Sequence, residues 1–346
     1  METSDKGRKT HPRQTRDSPP EEPFASGETS GGLLRLPLVA HVVTLAGLSK
    51  SYGAQRALDV VDLDIEQGEI FGYLGPNGAG KTTTIRILMG YLKPTSGSAR
   101  VFNLDSWSDS KTIHARTGYV PGELHLYDRL TGRETVDYFV SLRSPGNHSM
   151  ALTVRRNAED IAERFALDLS QRVGALSRGN KQKLAIVQAF MSAPDLVLLD
   201  EPSSGLDPLM QQEFLSLLRE LTGRGGTVLL SSHVLDEVQR IADRVGIIRA
   251  GRVVSIDRLE ALRARAVHKV SARLGGAVTI ETFQHIPGIQ DLVMDDHELR
   301  CGVPEASLDV LVKTLGRLQV LDIAITEADL EEMFLAFYNR DESDAA

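Results

Sequence analysis

The sequence predicts an α/β fold with a mainly parallel sheet, followed by a small α+β domain. From about residue 41 to residue 265, short apolar runs alternate with helical segments, a pattern typical of parallel-strand folds. A glycine-rich loop of the phosphate-binding type directly follows one of these runs. After about residue 265 the pattern changes to alternating, half-exposed strands, which indicates a second domain.

Four short runs of mostly valine, isoleucine and leucine are candidates for the central strands. They are Glu69 to Leu74, Asp195 to Asp200, Thr227 to Ser231 and Val245 to Ile248. Such runs are typical of strands that are covered on both faces, as in a parallel sheet.

The predicted domain order is a tail, two domains and a second tail. Residues 1–40 carry few large apolar side chains and are expected to be disordered. The main α/β domain is predicted over residues 41–265, the α+β accessory domain over 266–340 and a short tail over 341–346.

The accessory domain is predicted from its own periodicities. Alternating apolar residues predict a strand around Val270 and two more on either side of a turn at Asp295-Asp296. Helical spacing follows from Leu308 to Leu318. A last helix should begin at Thr326, capped by its hydroxyl and by Asp329, and bury apolar side chains at Leu330, Met333, Phe334 and Phe337.

Charge and cysteine usage limit the function classes. The 346 residues include 39 Lys and Arg against 47 Asp and Glu, a net charge of -8, so no large basic footprint and no nucleic-acid partner is expected. The single cysteine, Cys301, excludes an intrachain disulfide and fits a reducing compartment. We expect its side chain to be buried as a small hydrophobe.

Membrane-spanning and secretory segments are not expected. A spanning helix needs roughly 20 predominantly apolar residues. The nearest candidate, Leu33 to Leu48, is interrupted by charged, proline and histidine residues, and the residues before it are polar. If the protein acts at a membrane, another chain must supply the pore.

The strongest motif is a phosphate loop. The segment from Gly75 to Thr82 matches G-x-x-x-x-G-K-[ST] in full and lies between a strand candidate and a helical pattern. Backbone N–H groups of such a loop bind phosphates, Lys81 should reach the β- and γ-phosphates, and Thr82 should bind magnesium. The predicted ATP-binding residues here are Gly75, Pro76, Asn77, Gly78, Ala79, Gly80, Lys81, Thr82 and Thr83.

The second motif is a pair of carboxylates, Asp200 and Glu201, at the end of a strand candidate. Successive strand residues point to opposite sides, so the two acids should have different tasks. Asp200 is predicted to serve the magnesium ion and Glu201 to be the general base, together with Lys81 in catalysis. Two solvated acids are the alternative, which the upstream phosphate loop disfavours.

Further segments carry a family resemblance over residues 42–265. Leu-Ser-Arg-Gly-Asn at 176–180 resembles the LSGGQ signature of ABC ATPases, and residues 203–208 resemble their D-loop. His233 lies where this family has its switch histidine. Tyr52 resembles the aromatic residue that stacks on adenine, although an edge-strand aromatic is nearly as good an interpretation. The sequence is thus identified as a member of the ABC class of P-loop NTPases, with a helical subdomain.

The resemblance implies partners. In the family the signature completes the ATP site of a second subunit, so Ser177 and Gly179 are expected to bind the partner's nucleotide. A homodimer or a heterodimer with a related chain is implied. The remaining implied partners and ligands are a separately encoded permease, ATP and Mg²⁺, with the protein bound peripherally on the cytoplasmic side of the membrane.

Two departures from the family pattern stand out. Arg178 and Asn180 replace a glycine and a glutamine of the signature. The run Thr117 to Glu123 resembles the Q-loop but lacks its glutamine, so either Glu123 substitutes as an oxygen ligand or that interaction is weaker.

Three functions remain open from the sequence. The ending Glu327 to Phe334 resembles ATP-binding subunits of drug, antibiotic and polysaccharide exporters, which favours an energy module for a transporter. A soluble ATP-switched protein acting on ribosomes or DNA is the alternative. A simple P-loop kinase leaves the signature and D-loop unexplained. The accessory domain could stabilise a dimer, regulate the ATPase or tether it to the permease.

Overall fold

A computed structural model describes residues 41–326 apart from residues 266 and 277. Within this range the chain forms three β-sheets, each with its own buried apolar cluster nearby. The strands are β1 (His41–Tyr52), β2 (Gln55–Glu66), β3 (Ile70–Leu74), β4 (Ser96–Val101), β5 (Leu104–Asp105), β6 (Thr117–Val120), β7 (Leu196–Asp200), β8 (Thr227–Ser232), β9 (Arg244–Arg249), β10 (Arg252–Arg258), β11 (Val267–Leu274), β12 (Gln290–Asp295), β13 (Glu298–Pro304) and β14 (Val320–Thr326).

The helices connect and cover these strands. They are α1 (Lys81–Leu88), α2 (Ser110–Arg116), α3 (Gly132–Arg143), α4 (His148–Arg164), α5 (Arg178–Phe190), α6 (Pro208–Gly223), α7 (Leu235–Gln239), α8 (Leu259–Arg265) and α9 (Glu305–Leu315). Short 3₁₀ turns occur at Val173–Ala175 and Ile280–Thr282. None of the helices described combines the length and the apolar character that crossing a bilayer requires.

The central sheet has six strands in the order β10-β9-β3-β8-β7-β6. The pairs β9-β3, β3-β8, β8-β7 and β7-β6 are parallel, and β10 is antiparallel to β9. Every residue of β3, β7 and β8 is buried. The four strand candidates of the sequence are therefore confirmed, and the carboxyl ends of parallel strands form one edge where polar loops converge.

A four-stranded sheet in the order β2-β1-β4-β5 packs its apolar face on α1. β1 and β2 were not among the predicted strands. Their pairing shifts register at four points, although residues 61–65 of β2 still alternate between buried and exposed. Each shift disturbs the two-residue alternation that marks a half-buried strand.

The predicted helical subdomain comprises α3, α4 and α5. Its apolar faces meet in one cluster that includes Val140, Ile161 and Val187. A reciprocal cap, in which Thr131 accepts from the Glu134 amide and Glu134 accepts from the Thr131 amide, fixes the start of α3.

The accessory region folds as an antiparallel sheet in the order β12-β13-β11-β14, with α9 against it. The predicted strands and the turn after Asp295 are confirmed. The helix ends at Leu315 rather than Leu318, and an additional strand, β14, follows. This strand was not predicted, although its sequence, Val-Leu-Asp-Ile-Ala-Ile-Thr, is rich in apolar and β-branched residues.

Several sequence predictions lie outside the described residues. These are the disordered tail over 1–40, the helix after Thr326 and the tail over 341–346. Thr326 itself is the last residue of β14. The boundary between domains at residues 265 and 266 stays a prediction.

Cys301 allows a direct test of the accessory sheet. The residue lies in β13 and is buried, and this burial raises the pKa of its thiol to about 11. Because only about one thiol in 1,000 is then ionised at pH 8, the folded protein should react very slowly with Ellman's reagent. Denatured protein, which has an ordinary thiol, is the control and should react completely. Rapid labelling of folded protein would contradict the buried placement.

Candidate nucleotide-binding site

The phosphate loop occupies residues 75–80, between the end of β3 at Leu74 and the start of α1 at Lys81. Gly80, the residue before the helix, has φ 115°, a backbone conformation that favours glycine. A methyl group at Gly75 would lie 2.3 Å from the carbonyl oxygen of Ile248 in β9. The loop therefore packs tightly against the sheet edge. Glycine is required at Gly75 by this close packing and is favoured at Gly80 by the backbone conformation.

Lys81 lies across the base of this loop. Its side chain is buried, and Nζ donates to the carbonyl oxygens of Gly75 at 2.6 Å and Pro76 at 3.3 Å. The same Nζ lies 3.4 Å from Oε1 of Glu201. A single ammonium group thus connects the glycine loop to the acid that follows β7.

Asp200 binds Thr82, the residue that follows Lys81 in α1. The hydroxyl of Thr82 donates to Oδ2 of Asp200 at 2.7 Å, and the hydroxyl of Ser231 donates to Oδ1 at 2.6 Å. Asp200 is 2% exposed. A buried carboxylate beside a threonine hydroxyl matches the oxygen chemistry that Mg²⁺ prefers, so these residues fit the predicted metal role.

Glu201 has a different set of partners. Its Oε2 lies 2.6 Å from Nδ1 of His233, whereas Oε1 is buried and accepts no hydrogen bond from the described residues. The ion pair of Oε1 with Lys81, at 3.4 Å, is within Coulombic range but has poor hydrogen-bond direction. Among the described residues, the close partner of Oε1 is therefore the Lys81 ammonium, and no hydrogen-bond donor occupies its lone pairs.

The two carboxylates do serve different partners, but the alternation of strand residues is not the cause. β7 ends at Asp200, and Glu201 lies beyond it with φ 52°. This left-handed backbone turns Glu201 away from Asp200 and towards His233. The local geometry is held by the Glu201 amide, which donates to the Ser231 carbonyl at 3.1 Å.

Ser177 and Gly179 lie at the start of α5. The hydroxyl of Ser177 accepts from the Asn180 amide at 3.3 Å as the helix cap. A methyl group at Gly179 would lie 2.6 Å from the carbonyl oxygen of Gly205 in the D-loop. Among the described residues, these interactions link Ser177 and Gly179 to their own helix and to the D-loop, not to residues 75–82.

Arg178 and Gln182 strengthen the same connection. Arg178 donates to the Ser204 hydroxyl at 3.0 Å, and Gln182 donates to the Pro202 carbonyl at 2.7 Å. The arginine that replaces a signature glycine therefore has a structural partner in the D-loop.

Tyr52 and Glu123 are both exposed. Tyr52 ends β1, is 48% exposed and has the Lys50 ammonium 5.2 Å from its ring centroid. The ammonium lies over one face of the ring, so stacking on adenine would use the opposite face and stays a prediction. A methyl group at Gly122 would lie 3.2 Å from Oδ2 of Asp200, so the segment carrying Glu123 passes beside the predicted metal site.

Sequence analysis missed Ser231 and Glu237, which support the site. Ser231 binds Asp200, and Glu237 accepts hydrogen bonds from Ser203 and Ser232. Ser231 and Ser232 did have a signal in the sequence, because they lie at the carboxyl end of a central strand. This is the edge where parallel-sheet proteins bind ligands. Glu237 has no comparable signal, since its role depends on how α7 folds back.

The loop, the buried acid on Thr82 and the acid–histidine pair at one sheet edge define a P-loop nucleoside triphosphatase. The ABC transporter family model matches residues 58–204. Bacitracin transport ATP-binding protein BcrA of Bacillus licheniformis is 37% identical over 217 residues, covering 62% of this chain and 68% of that protein. Daunorubicin resistance ATP-binding protein DrrA3 of Streptomyces coeruleorubidus is 32% identical over 310 residues, covering 85% and 94%. The chain belongs to the family of ABC transporter ATP-binding proteins.

Solved structures agree with this assignment. An ATP-binding subunit of an ABC transporter is 31% identical with a TM-score of 0.59, covering 64% of this chain and 92% of that one. The dimeric bacterial ABC transporter cassette MJ0796 is 25% identical with a TM-score of 0.58, covering 63% and 98%. The predicted fold class is confirmed, including the additional C-terminal antiparallel sheet.

Gly75→Ala tests the close packing of the phosphate loop. The added methyl group would overlap the Ile248 carbonyl, so the loop must move and ATP affinity should fall about tenfold or more, equivalent to at least about 1.4 kcal/mol. Titration with a fluorescent ATP analogue measures this loss. Gly223→Ala is the matched control, since nothing lies within 4 Å of that position. Equal affinities of the two variants would contradict the role of Gly75.

Proposed function

We propose that this protein binds and hydrolyses Mg²⁺-ATP as one of two paired ATPase subunits and thereby drives a separately encoded membrane exporter. The observation that carries the proposal is the convergence of Lys81, Thr82, Asp200, Glu201 and His233 at one edge of the central sheet. Membership of the family implies ATP binding and hydrolysis, and the arrangement of these residues supplies a role for each.

Magnesium would be held by the Thr82 hydroxyl and by Asp200, directly or through water. When bound, the ion supplies positive charge that offsets the charge developing on the phosphates. Asp200 is kept in place by the Ser231 hydroxyl at 2.6 Å, so its second oxygen remains directed at Thr82. Lys81 and the loop amides would bind the phosphate oxygens.

Glu201 would take the proton from the attacking water. Its Oε1 has no hydrogen-bond donor among the described residues, and its Oε2 is fixed by His233 at 2.6 Å. His233, which is 51% exposed at its side chain, can orient Glu201 and also reach a γ-phosphate. Position and orientation of the base are worth several powers of ten in such reactions.

Ser177 and Gly179 would act on the nucleotide of the other subunit. They lie at the start of the thirteen-residue helix α5, where free backbone N–H groups favour an anion. Gly179 lies close to Gly205, and Gln182 of the same helix donates to the Pro202 carbonyl. The segment offered to the partner is thereby linked to the segment that follows Glu201. Either a homodimer or a pair with a related chain satisfies this geometry.

Glu201→Gln tests the base and the pairing together. The amide keeps the shape of the side chain but cannot accept the proton, so turnover should fall by at least about 100-fold while ATP binding is retained. Since ATP then stays bound between subunits, an ATP-dependent dimer should appear in size-exclusion chromatography.

Lys81→Ala provides the comparison, because it should lose nucleotide binding and form no such dimer. Near-normal turnover of Glu201→Gln would show that another group is the base. A dimer that forms equally without ATP would contradict nucleotide-dependent pairing.

An exposed apolar area on the helical subdomain supports a membrane-protein partner. Tyr127, Tyr138 and Leu142 are 54%, 43% and 57% exposed, and the two tyrosine rings pack edge to face at 5.6 Å. Leu142 lies one helical turn after Tyr138 on α3. Clustered exposed apolar side chains are typical of protein interfaces, and we assign this area to a cytoplasmic segment of the permease. The protein would then lie on the cytoplasmic side of the membrane.

The substrate class follows from the relatives. One relative is a bacitracin transport protein and another a daunorubicin resistance protein, so an antibiotic or drug-like cargo is the first choice. A lipid or polysaccharide cargo is the second.

Leu142→Glu tests the assigned permease surface. A charge in an apolar interface should abolish co-purification with the permease encoded beside this protein, while ATP turnover of the isolated subunit stays within about twofold. Val254→Glu, at a 39% exposed valine of β10, is the control and should leave co-purification intact. Unchanged co-purification of Leu142→Glu would place the permease elsewhere, and recovery of the protein with ribosomes would contradict the transporter function.

A further inference from the structure

Glu237 is a half-buried carboxylate of α7 that lies outside every motif discussed above. Its two oxygens accept hydrogen bonds from different segments. Oε1 accepts from the Ser203 hydroxyl at 2.5 Å, and Oε2 accepts from the Ser232 hydroxyl at 2.8 Å. One side chain therefore joins the D-loop to the turn that carries the switch histidine.

The Ser232 interaction fixes the turn around His233. Ser232 is fully buried, and its hydroxyl also accepts from the Val234 amide at 2.9 Å. Two acceptors are within reach of the Ser232 hydroxyl proton, the Val234 carbonyl at 3.3 Å and Oε2 of Glu237 at the shorter 2.8 Å. Ser232, which precedes His233, is thus tied to two residues that follow it. His233 lies between Ser232 and Val234, so these bonds help to keep its ring beside Glu201.

The Ser203 interaction fixes the segment around Glu201. Ser203 follows Glu201 by two residues, and between them the Pro202 carbonyl accepts from Gln182. The Glu201 amide is bound to Ser231 on the neighbouring strand. Glu237 adds a link between Ser203, which follows Glu201, and Ser232, which precedes His233.

We propose that Glu237 is a positioning residue that sets the contact between His233 and Glu201. Hydrogen bonds from hydroxyls to a carboxylate are short and strong, and both distances lie at or near the range for such charge-assisted bonds. Without Glu237, the two serine hydroxyls lose their common acceptor and the segments carrying Glu201 and His233 can shift independently. The inference rests on the proposed hydrolysis function, since positioning matters only if these two residues act on ATP.

The position of α7 makes this role specific. The helix has five residues, and Glu237 is its third. Its neighbour Asp236 is exposed and pairs with Arg240 at 2.6 Å on the surface, without touching either segment. The two adjacent acids of one short helix thus differ in their contacts, which provides a matched control.

Glu237→Ala should lower kcat for ATP about 10- to 100-fold, because small displacements of reacting groups cost this much. The KM for ATP and the affinity for a fluorescent ATP analogue should stay within about threefold, since the phosphate loop is untouched. Asp236→Asn should keep the wild-type kcat. Wild-type turnover is measured first; if wild type does not hydrolyse ATP, the proposed function fails rather than this inference.

A mutant cycle with His233→Ala separates positioning from general stability. If Glu237 acts through His233, the double variant should be as slow as His233→Ala alone within about twofold. Glu237→Gln should recover most of the activity, because a glutamine can accept from one serine and donate to the other. Multiplicative losses in the double variant would overturn the proposal, as would a Glu237→Ala enzyme with wild-type kcat.

Discussion

The buried carboxylate of Asp200 is the group on which the rest of the site depends. Removing a charge from water is costly unless it is hydrogen-bonded, and here the hydroxyls of Thr82 and Ser231 satisfy both oxygens. These two hydroxyls come from the helix after the phosphate loop and from the adjacent strand. The charge therefore fixes the relative positions of β7, β8 and α1, and the remaining functional groups are placed by reference to it.

The segment after Glu201 connects the subunit's own site with the segment proposed to act on the partner's nucleotide. Residues 202–205 lie directly after Glu201 and also bind the start of α5 through Arg178, Gln182 and Gly179. The segment that completes a subunit's own site is thus in contact with the segment proposed to complete its partner's. A change at either one has a direct mechanical path to the other, without passing through the apolar core.

The sequence was sufficient for the parts of the site whose chemistry is local. Gly75 to Thr82 and the acid pair are recognisable from residue type and spacing. His233 was predicted only through the family resemblance. The central strands were recognisable because strands covered on both faces are continuously apolar. β1 has four register shifts in its pairing with β2, which disturb its alternation. β2 and β14 carry strand-like apolar patterns that were overlooked.

Contacts between distant segments were not predictable in the same way. Glu237 resembles any acid of a short surface helix. Ser232 lies only five residues before it, but the return of α7 towards the D-loop is needed to bring it to Ser203. Arg178 looked like a departure from a glycine motif, whereas in the structure its guanidinium reaches Ser204. In both cases the deciding quantity is a distance between residues more than 20 positions apart along the chain.

The backbone of Glu201 has a consequence for how this protein can change. A left-handed conformation disfavours every residue except glycine by about 1–2 kcal/mol, and Glu201 adopts it at φ 52°. Glycine would relieve that cost but would remove the carboxylate, so greater stability and the proposed base are mutually exclusive at this position. Stabilising substitutions are therefore open to the sheets and helices. Residue 201 must remain glutamate for as long as the proposed ATP hydrolysis is required.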